Sequence, residues 1–201
     1  MPDPRSDRVR VAVLISGTGS NMAALVDAAQ APDCPFEIAV VASNRAEAGG
    51  LDIARAKGVP VAVVDHRPYG KDREAHERAI DGVLNQHRVE VVALAGYMRL
   101  LTPWLVGRWR GRMLNIHPSL LPKYPGLDTH ARALEAGDRE AGCTVHLVTE
   151  GVDEGPILAQ APVPVLPDDT PASLAQRVLT AEHGLYPRAL ADFCRAHMRS
   201  S

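Results

Sequence analysis

Asn115 and His117 stand two residues apart in the run Arg-Met-Leu-Asn-Ile-His at 112–117. In an extended segment that spacing puts both side chains on one face. An amide donor beside an imidazole suits acyl transfer. The amide can hydrogen-bond a carbonyl oxygen as it becomes an oxyanion, and the imidazole can donate a proton or a charge to the same tetrahedral species near pH 7. The same spacing also fits a strand end whose polar groups simply cap a loop. The following run, Pro-Ser-Leu-Leu-Pro-Lys-Tyr-Pro-Gly at 118–126, is too apolar and proline-rich for a casual surface loop. It reads as a pocket wall, and its Leu121–Pro122 bond is one that a shaped turn can hold cis.

Three further runs could carry chemistry. Gly17-Thr-Gly-Ser-Asn21 lies between a strand-like and a helix-like segment. Its glycines allow a tight turn, and the free N–H groups and dipole of a helix start favour an anion such as phosphate. A purely structural turn capped by Ser20 or Asn21 is the alternative. A dinucleotide fingerprint is not met, because Met22 stands where a third small residue belongs and no acid follows the second strand. Thr149-Glu-Gly-Val-Asp-Glu-Gly155 holds three carboxylates and two glycines. One carboxylate beside His117 would orient the ring; a solvated acidic loop is the plain alternative. Gly96-Tyr-Met-Arg-Leu-Leu101 could cradle a flat heterocycle, or could simply lead into a helix with Leu100 and Leu101 in the core.

The elements that must position these runs are legible. Near-continuous apolar segments at 9–15, 36–42, 59–64 and 89–95 alternate with helical patterns at 22–30, 46–57 and 71–87. That pattern predicts a parallel sheet covered on both faces, a doubly wound, Rossmann-like α/β unit. A short strand at 112–117, a short helix at 129–136 closed by Gly137, and strands at 143–149 and 155–165 follow. Pro162 and Pro164 put the last strand at a sheet edge. Residues 171–197 read as a helix that Pro187 breaks or kinks. No repeat or linker divides the chain, so residues 1–8 are expected to be a flexible tail and 9–201 a single domain of mixed, mostly parallel sheet.

Composition excludes several classes. The 201 residues are 46% hydrophobic and 23% charged, with 22 Lys and Arg against 24 Asp and Glu, a net charge of −2. Such a chain has an ordinary core and no long-range field to gather nucleic acid or anionic lipid. No run approaches the ~20 apolar residues of a membrane span. Three widely spaced cysteines suit a reducing cytoplasm rather than a disulfide framework. Cys194 and His197 form one C-x-x-H with no second pair for zinc. No G-x-S-x-G elbow supports a serine hydrolase. His66, His76, His87, His130, His183 and His197 read as exposed, and His146 as a satisfied buried histidine behind the site.

Taken in order, LISGTGSN, VVASNRAEAGGL, VVALAGYMRLLTP, GRMLNIHPSLLPKYPGL, GCTVHLVTEGVDEGPILAQ and AEHGLYP resemble the folate-dependent formyltransferases over residues 9–195. Met22, Tyr97 and Leu100 depart from that pattern without removing a chemical group. The resemblance implies transfer of a formyl group from 10-formyltetrahydrofolate to the primary amine of glycinamide ribonucleotide, a cytoplasmic step of purine synthesis, with no metal. It implies catalysis by Asn115, His117 and Asp153. Gly19, Ser20 and Asn21 would hold the phosphate, and Glu182 the ribose hydroxyls. Met98, Arg99, Leu100, Leu101, Asn115, Thr149, Glu150, Gly151 and Val152 would enclose the pterin, and Arg73 would meet the benzoyl-glutamate. A monomer and a homodimer both fit. Short flanks are expected to exclude the appended domains of transfer-RNA formyltransferases and of formyltetrahydrofolate hydrolases. A non-catalytic binder of a phosphorylated metabolite, or an NADP-linked reductase using Arg45, are the readings from other classes.

Overall fold

The computed structural model describes residues 8–199. Of the tail expected at 1–8, residues 1–7 lie outside the described residues, while the Arg8 guanidinium donates to the carbonyls of Ala29, Ala31 and Pro32 at 2.9–3.0 Å. Seven strands form one sheet in the order β3-β2-β1-β4-β5-β6-β7. They are β1 (Val9–Ile15), β2 (Phe36–Ser43), β3 (Val61–Val63), β4 (Val91–Leu94), β5 (Met113–His117), β6 (Glu140–Leu147) and β7 (Ile157–Pro164). The first five run parallel, and β6 and β7 are antiparallel to their neighbours. β7 forms the sheet edge that its two prolines require.

Side-chain alternation divides the core between the two faces. Val11, Val13 and Ile15 of β1, with Val91 and Ala93 of β4, face one cluster, whereas Ala12, Leu14, Val92 and Leu94 face the other. Helices α1 (Ser20–Ala29), α2 (Gly50–Ala56), α5 (Thr129–Glu135) and α6 (Pro171–Met198) cover the first face, through residues such as Leu25, Leu51, Ala133 and Leu174. Helices α3 (Arg73–Gln86) and α4 (Pro103–Arg108) cover the second, through Ile80, Leu84 and Leu105. Leu114 and Ile116 point into the first cluster, so the alternating Asn115 and His117 lie on the opposite face at the strand's C-terminal end.

Several expectations need correcting. Helix α2 starts at Gly50, four residues after the predicted 46, because residues 45–48 form a turn in which the Ala48 N–H donates to the Arg45 carbonyl. The run 96–101 does lead into a helix, α4, as its alternative reading has it, but only Leu101 packs on the core and Leu100 is exposed. Pro187 does not break α6. The missing N–H costs one main-chain bond, and buried Leu185, Tyr186, Ala189 and Leu190 on either side hold the helix to the sheet. The Tyr186 hydroxyl also bonds the carbonyls of Leu94 and Leu114 at 2.9 and 3.3 Å. His76 is fully buried, with Nε2 on the Val64 carbonyl at 2.7 Å, and the other five histidines read as exposed are half-buried. The Leu121–Pro122 peptide is cis.

Candidate active site

At the C-terminal ends of the parallel strands a cavity of about 580 Å³ opens, the usual place for a ligand in such a sheet. One wall is the glycine loop, residues 16–21, and the other holds Gly96, Met98 and Arg99. The loop is shaped by close backbone contact. Gly19 has φ 74°, caps α1, and approaches Gly50 so nearly that a Cβ on Gly19 would lie 2.7 Å from the Gly50 Cα. The Gly50 N–H in turn donates to the Gly17 carbonyl at 3.0 Å. The two glycines expected from sequence are therefore joined by a third, from the start of α2.

A buried polar node ties the two walls together. The Ser16 hydroxyl donates to Asn44 Oδ1 at 2.6 Å and accepts from the Met98 N–H at 2.8 Å. Further on, the Thr102 N–H donates to the buried Glu77 carboxylate at 2.8 Å, and Arg73 reaches the Leu100 carbonyl at 3.3 Å. The main chain of residues 98–102 is thus held at three points. Its side chains divide: Leu101 packs on the core, while Met98 and Leu100 are 69% and 65% exposed. A fixed backbone thus presents the apolar Met98 side chain to the cavity.

Beside the cavity lies the polar cluster. In the sheet register Asn115 pairs with Leu94 on one side, just before Ala95 and Gly96 of the cavity wall, and with His146 on the other. His117 Nε2 is 2.8 Å from the Tyr124 carbonyl, and its Nδ1 is 3.3 Å from Asp153 Oδ2. Both partners are acceptors, so the two contacts are complete when each ring nitrogen carries a proton. Asp153 sits on the β6–β7 loop at φ 55° and also accepts from the Gly126 N–H at 2.9 Å. Burial works against its charge, but the bonds from His146 and Gly126 and the neighbouring imidazoles outweigh it and hold the carboxyl below its ordinary range.

His146 is in the site, not behind it. Its Nδ1 lies 2.9 Å from the Leu147 carbonyl, and its Nε2 faces Asn115 Nδ2 at 3.3 Å and Asp153 Oδ1 at 3.5 Å. Nε2 thus stands between Asn115 and Asp153: without a proton it accepts from the Asn115 amide, with one it donates to Asp153, and in either case an Asn115 amide proton stays free. The pocket wall at 118–126 is equally well anchored. Thr144 Oγ1 donates to the Ser119 carbonyl at 2.7 Å and accepts from the Leu121 N–H at 3.0 Å.

The remaining expected residues are distributed as follows. Gly19, Ser20, Asn21, Met98 and Arg99 share the cavity. The Asn21 amide, however, is turned inward and donates to Glu182 Oε2 at 2.6 Å, so it is engaged before any ligand arrives. Glu182 is only 6% exposed, and burial raises its pKa against the opposing bond from Asn21. Thr149, Glu150 and Val152 are exposed on the loop that carries Asp153, and Gly151 is half-buried there. Among the described residues, Ser16, Asn44, Glu77 and Thr144 take part without having been expected, and His146, buried and hydrogen-bonded as expected, faces Asn115 rather than lying behind it. A register that sets His146 opposite Asn115 is invisible before the strands are paired.

The Formyl transferase family profile matches residues 9–190. The trifunctional purine biosynthetic protein adenosine-3 of Drosophila melanogaster is 51% identical over 186 residues, 92% of this chain but only 14% of that protein's length. The phosphoribosylglycinamide formyltransferase of Escherichia coli (strain K12) is 42% identical over 191 residues, 95% of this chain and 90% of that one. A crystal structure of phosphoribosylglycinamide formyltransferase from Brucella melitensis superposes with a TM-score of 0.89 at 57% identity, covering 93% of this chain and 96% of the other. No helix among the described residues is long and apolar enough to cross a membrane.

Proposed function

The chain belongs to the formyl transferase family, and from that membership we propose that it transfers the formyl group of 10-formyltetrahydrofolate to the primary amine of glycinamide ribonucleotide, a step of purine synthesis in the cytoplasm. Residues 9–201 act as one formyltransferase domain in this reading. The observation that carries it is the joined cluster of Asn115, His117 and Asp153 next to a cavity with a glycine loop on one wall and the exposed Met98 on the other.

Bound folate supplies the formyl carbon. Residues 98–101 and 149–152 enclose its pterin, and Arg73 meets the benzoyl-glutamate. Gly19, Ser20 and Asn21 hold the ribonucleotide phosphate, Asn21 through its main chain because its side chain is committed to Glu182. Glu182 meets the ribose hydroxyls by exchanging that bond. Asn115 offers its free amide proton to the formyl oxygen as charge develops, and protonated His117 adds a second donor through Nδ1, its looser contact. Asp153, beside the ring, balances the imidazolium charge and relays through water the proton given up by the attacking amine to N10 of the folate, as the tetrahedral species collapses and the formyl carbon–N10 bond breaks.

The test is turnover of 10-formyltetrahydrofolate with and without glycinamide ribonucleotide. Deformylation only in the presence of the nucleotide, with an N-formyl product, is the expected result. Equal cleavage without the nucleotide would identify a hydrolase, and folate binding without turnover a non-catalytic protein.

A further inference from the structure

A phosphate monoester carries about −1.5 to −2 charges at pH 7, and the glycine loop offers it only N–H groups and hydroxyls. The charged side chains on the cavity wall are Arg45 and Arg99; no carboxylate lies among the lining residues. Arg99 extends the 98–101 wall. Arg45 stands on the other side, and its position is coupled to the glycine loop. Its N–H donates to Ser43 Oγ at 3.1 Å, its carbonyl accepts from Ala48, and two residues later Gly50 is seated against Gly19. The turn that brings Gly50 onto the loop is therefore the turn that sets Arg45 at the mouth. The guanidinium is half exposed, and its Nε is 3.3 Å from Glu47 Oε1, an open pair of little strength that a ligand can displace.

We propose that Arg45 is the cationic ligand of the substrate phosphate, exchanging Glu47 for the phosphate oxygens when the ribonucleotide binds. This inference rests on the function proposed above. A planar fork of N–H donors suits two phosphate oxygens at once, and it makes the enzyme select phosphorylated over unphosphorylated acceptors. Arg45 touches only the far end of the substrate, so it acts on binding and leaves the chemical step alone.

The experiment compares Arg45→Gln and Arg45→Lys with the unaltered enzyme, using glycinamide ribonucleotide and its phosphate-free riboside as acceptors. Arg45→Gln is expected to raise KM for the ribonucleotide ~10- to 100-fold. The kcat, the folate KM and turnover of the riboside should stay unchanged, and Arg45→Lys should fall between. An unchanged ribonucleotide KM in Arg45→Gln overturns the proposal. So does an equal loss on the riboside, which would mean that Arg45 merely shapes the wall. Failure of the unaltered enzyme to formylate the ribonucleotide would instead remove the function itself.

Discussion

His146 Nε2 lies 3.3 Å from Asn115 Nδ2 across the β5–β6 pair. One strand therefore carries the amide proposed to meet the oxyanion, and its neighbour carries a group placed to hold that amide. His146→Phe keeps an aromatic ring, somewhat larger than imidazole, and removes both nitrogens. A misplacement of about 1 Å can cost on the order of 10²-fold, so kcat should fall by up to that factor. The drop should be smaller than for Asn115→Ala, with substrate KM values little changed. Steady-state kinetics on the two variants decide it, and equal losses would make His146 as central as Asn115.

Asn115→Ala, His117→Ala and Asp153→Ala should each lower kcat by about 10²–10³ or more while keeping the fold, as expected for loss of a preorganised oxyanion partner. Single-turnover formyl transfer, read beside thermal melting, is the measurement. A variant with near-normal turnover would take its residue out of the mechanism.

Glu182 makes a stability prediction with a defined sign. Burial raises its pKa in the folded state above the unfolded value near 4.5. The folded protein therefore holds that proton more tightly than the unfolded chain. The stabilising contribution is full below pH 4.5 and is lost as pH rises through the folded value. Glu182→Gln keeps an oxygen for the Asn21 amide and removes the buried charge. It should melt higher than the parent at pH 8, with the difference vanishing toward pH 4, and its KM for the ribonucleotide should rise. Parallel melts at the two pH values check the sign.

Ser16→Ala leaves the Met98 N–H and Asn44 Oδ1 without their buried partner. Unsatisfied groups of that kind cost about 1–3 kcal/mol. Residues 98–101 lose one of their three anchors, so folate KM should rise more than ribonucleotide KM. Equal changes in both would show that the hydroxyl serves only the fold.

Gly155 approaches β6 so closely that a Cβ would stand 1.7 Å from the Leu147 carbonyl oxygen. Gly155→Ala must move the loop that carries Asp153 two residues earlier. Activity should fall toward that of Asp153→Ala although no catalytic group is removed, and amide exchange of residues 149–155 should quicken.

The parallel half of the fold was legible because burial on both faces leaves a distinct mark: strands such as Val-Arg-Val-Ala-Val-Leu-Ile are apolar at nearly every position. Asn115 and His117 could be paired from spacing alone, since a strand fixes its own alternation. Choosing Asp153 from three nearby carboxylates needed family resemblance, because a loop with a left-handed aspartate has no sequence period. His146 and Ser16 were hidden for a related reason. Each acts through a residue 31 or 82 positions away in the chain. Glu182 did leave a trace: it falls on the buried stripe Leu174, Val178, Glu182, Leu185, where a carboxylate is out of place unless it has work to do.

At the contact of Gly19 with Gly50, the floor of the cavity is main chain against main chain. Such a floor has no rotamers. It cannot deepen by turning a side chain aside, nor be widened by trimming one, because there is nothing to trim. Depth at that end is set by van der Waals contact between backbone atoms, so ligands are discriminated there by length with little compliance. A change of substrate, whether by selection or by engineering, is more readily made at the opposite wall, where the side chain of Met98 is exposed.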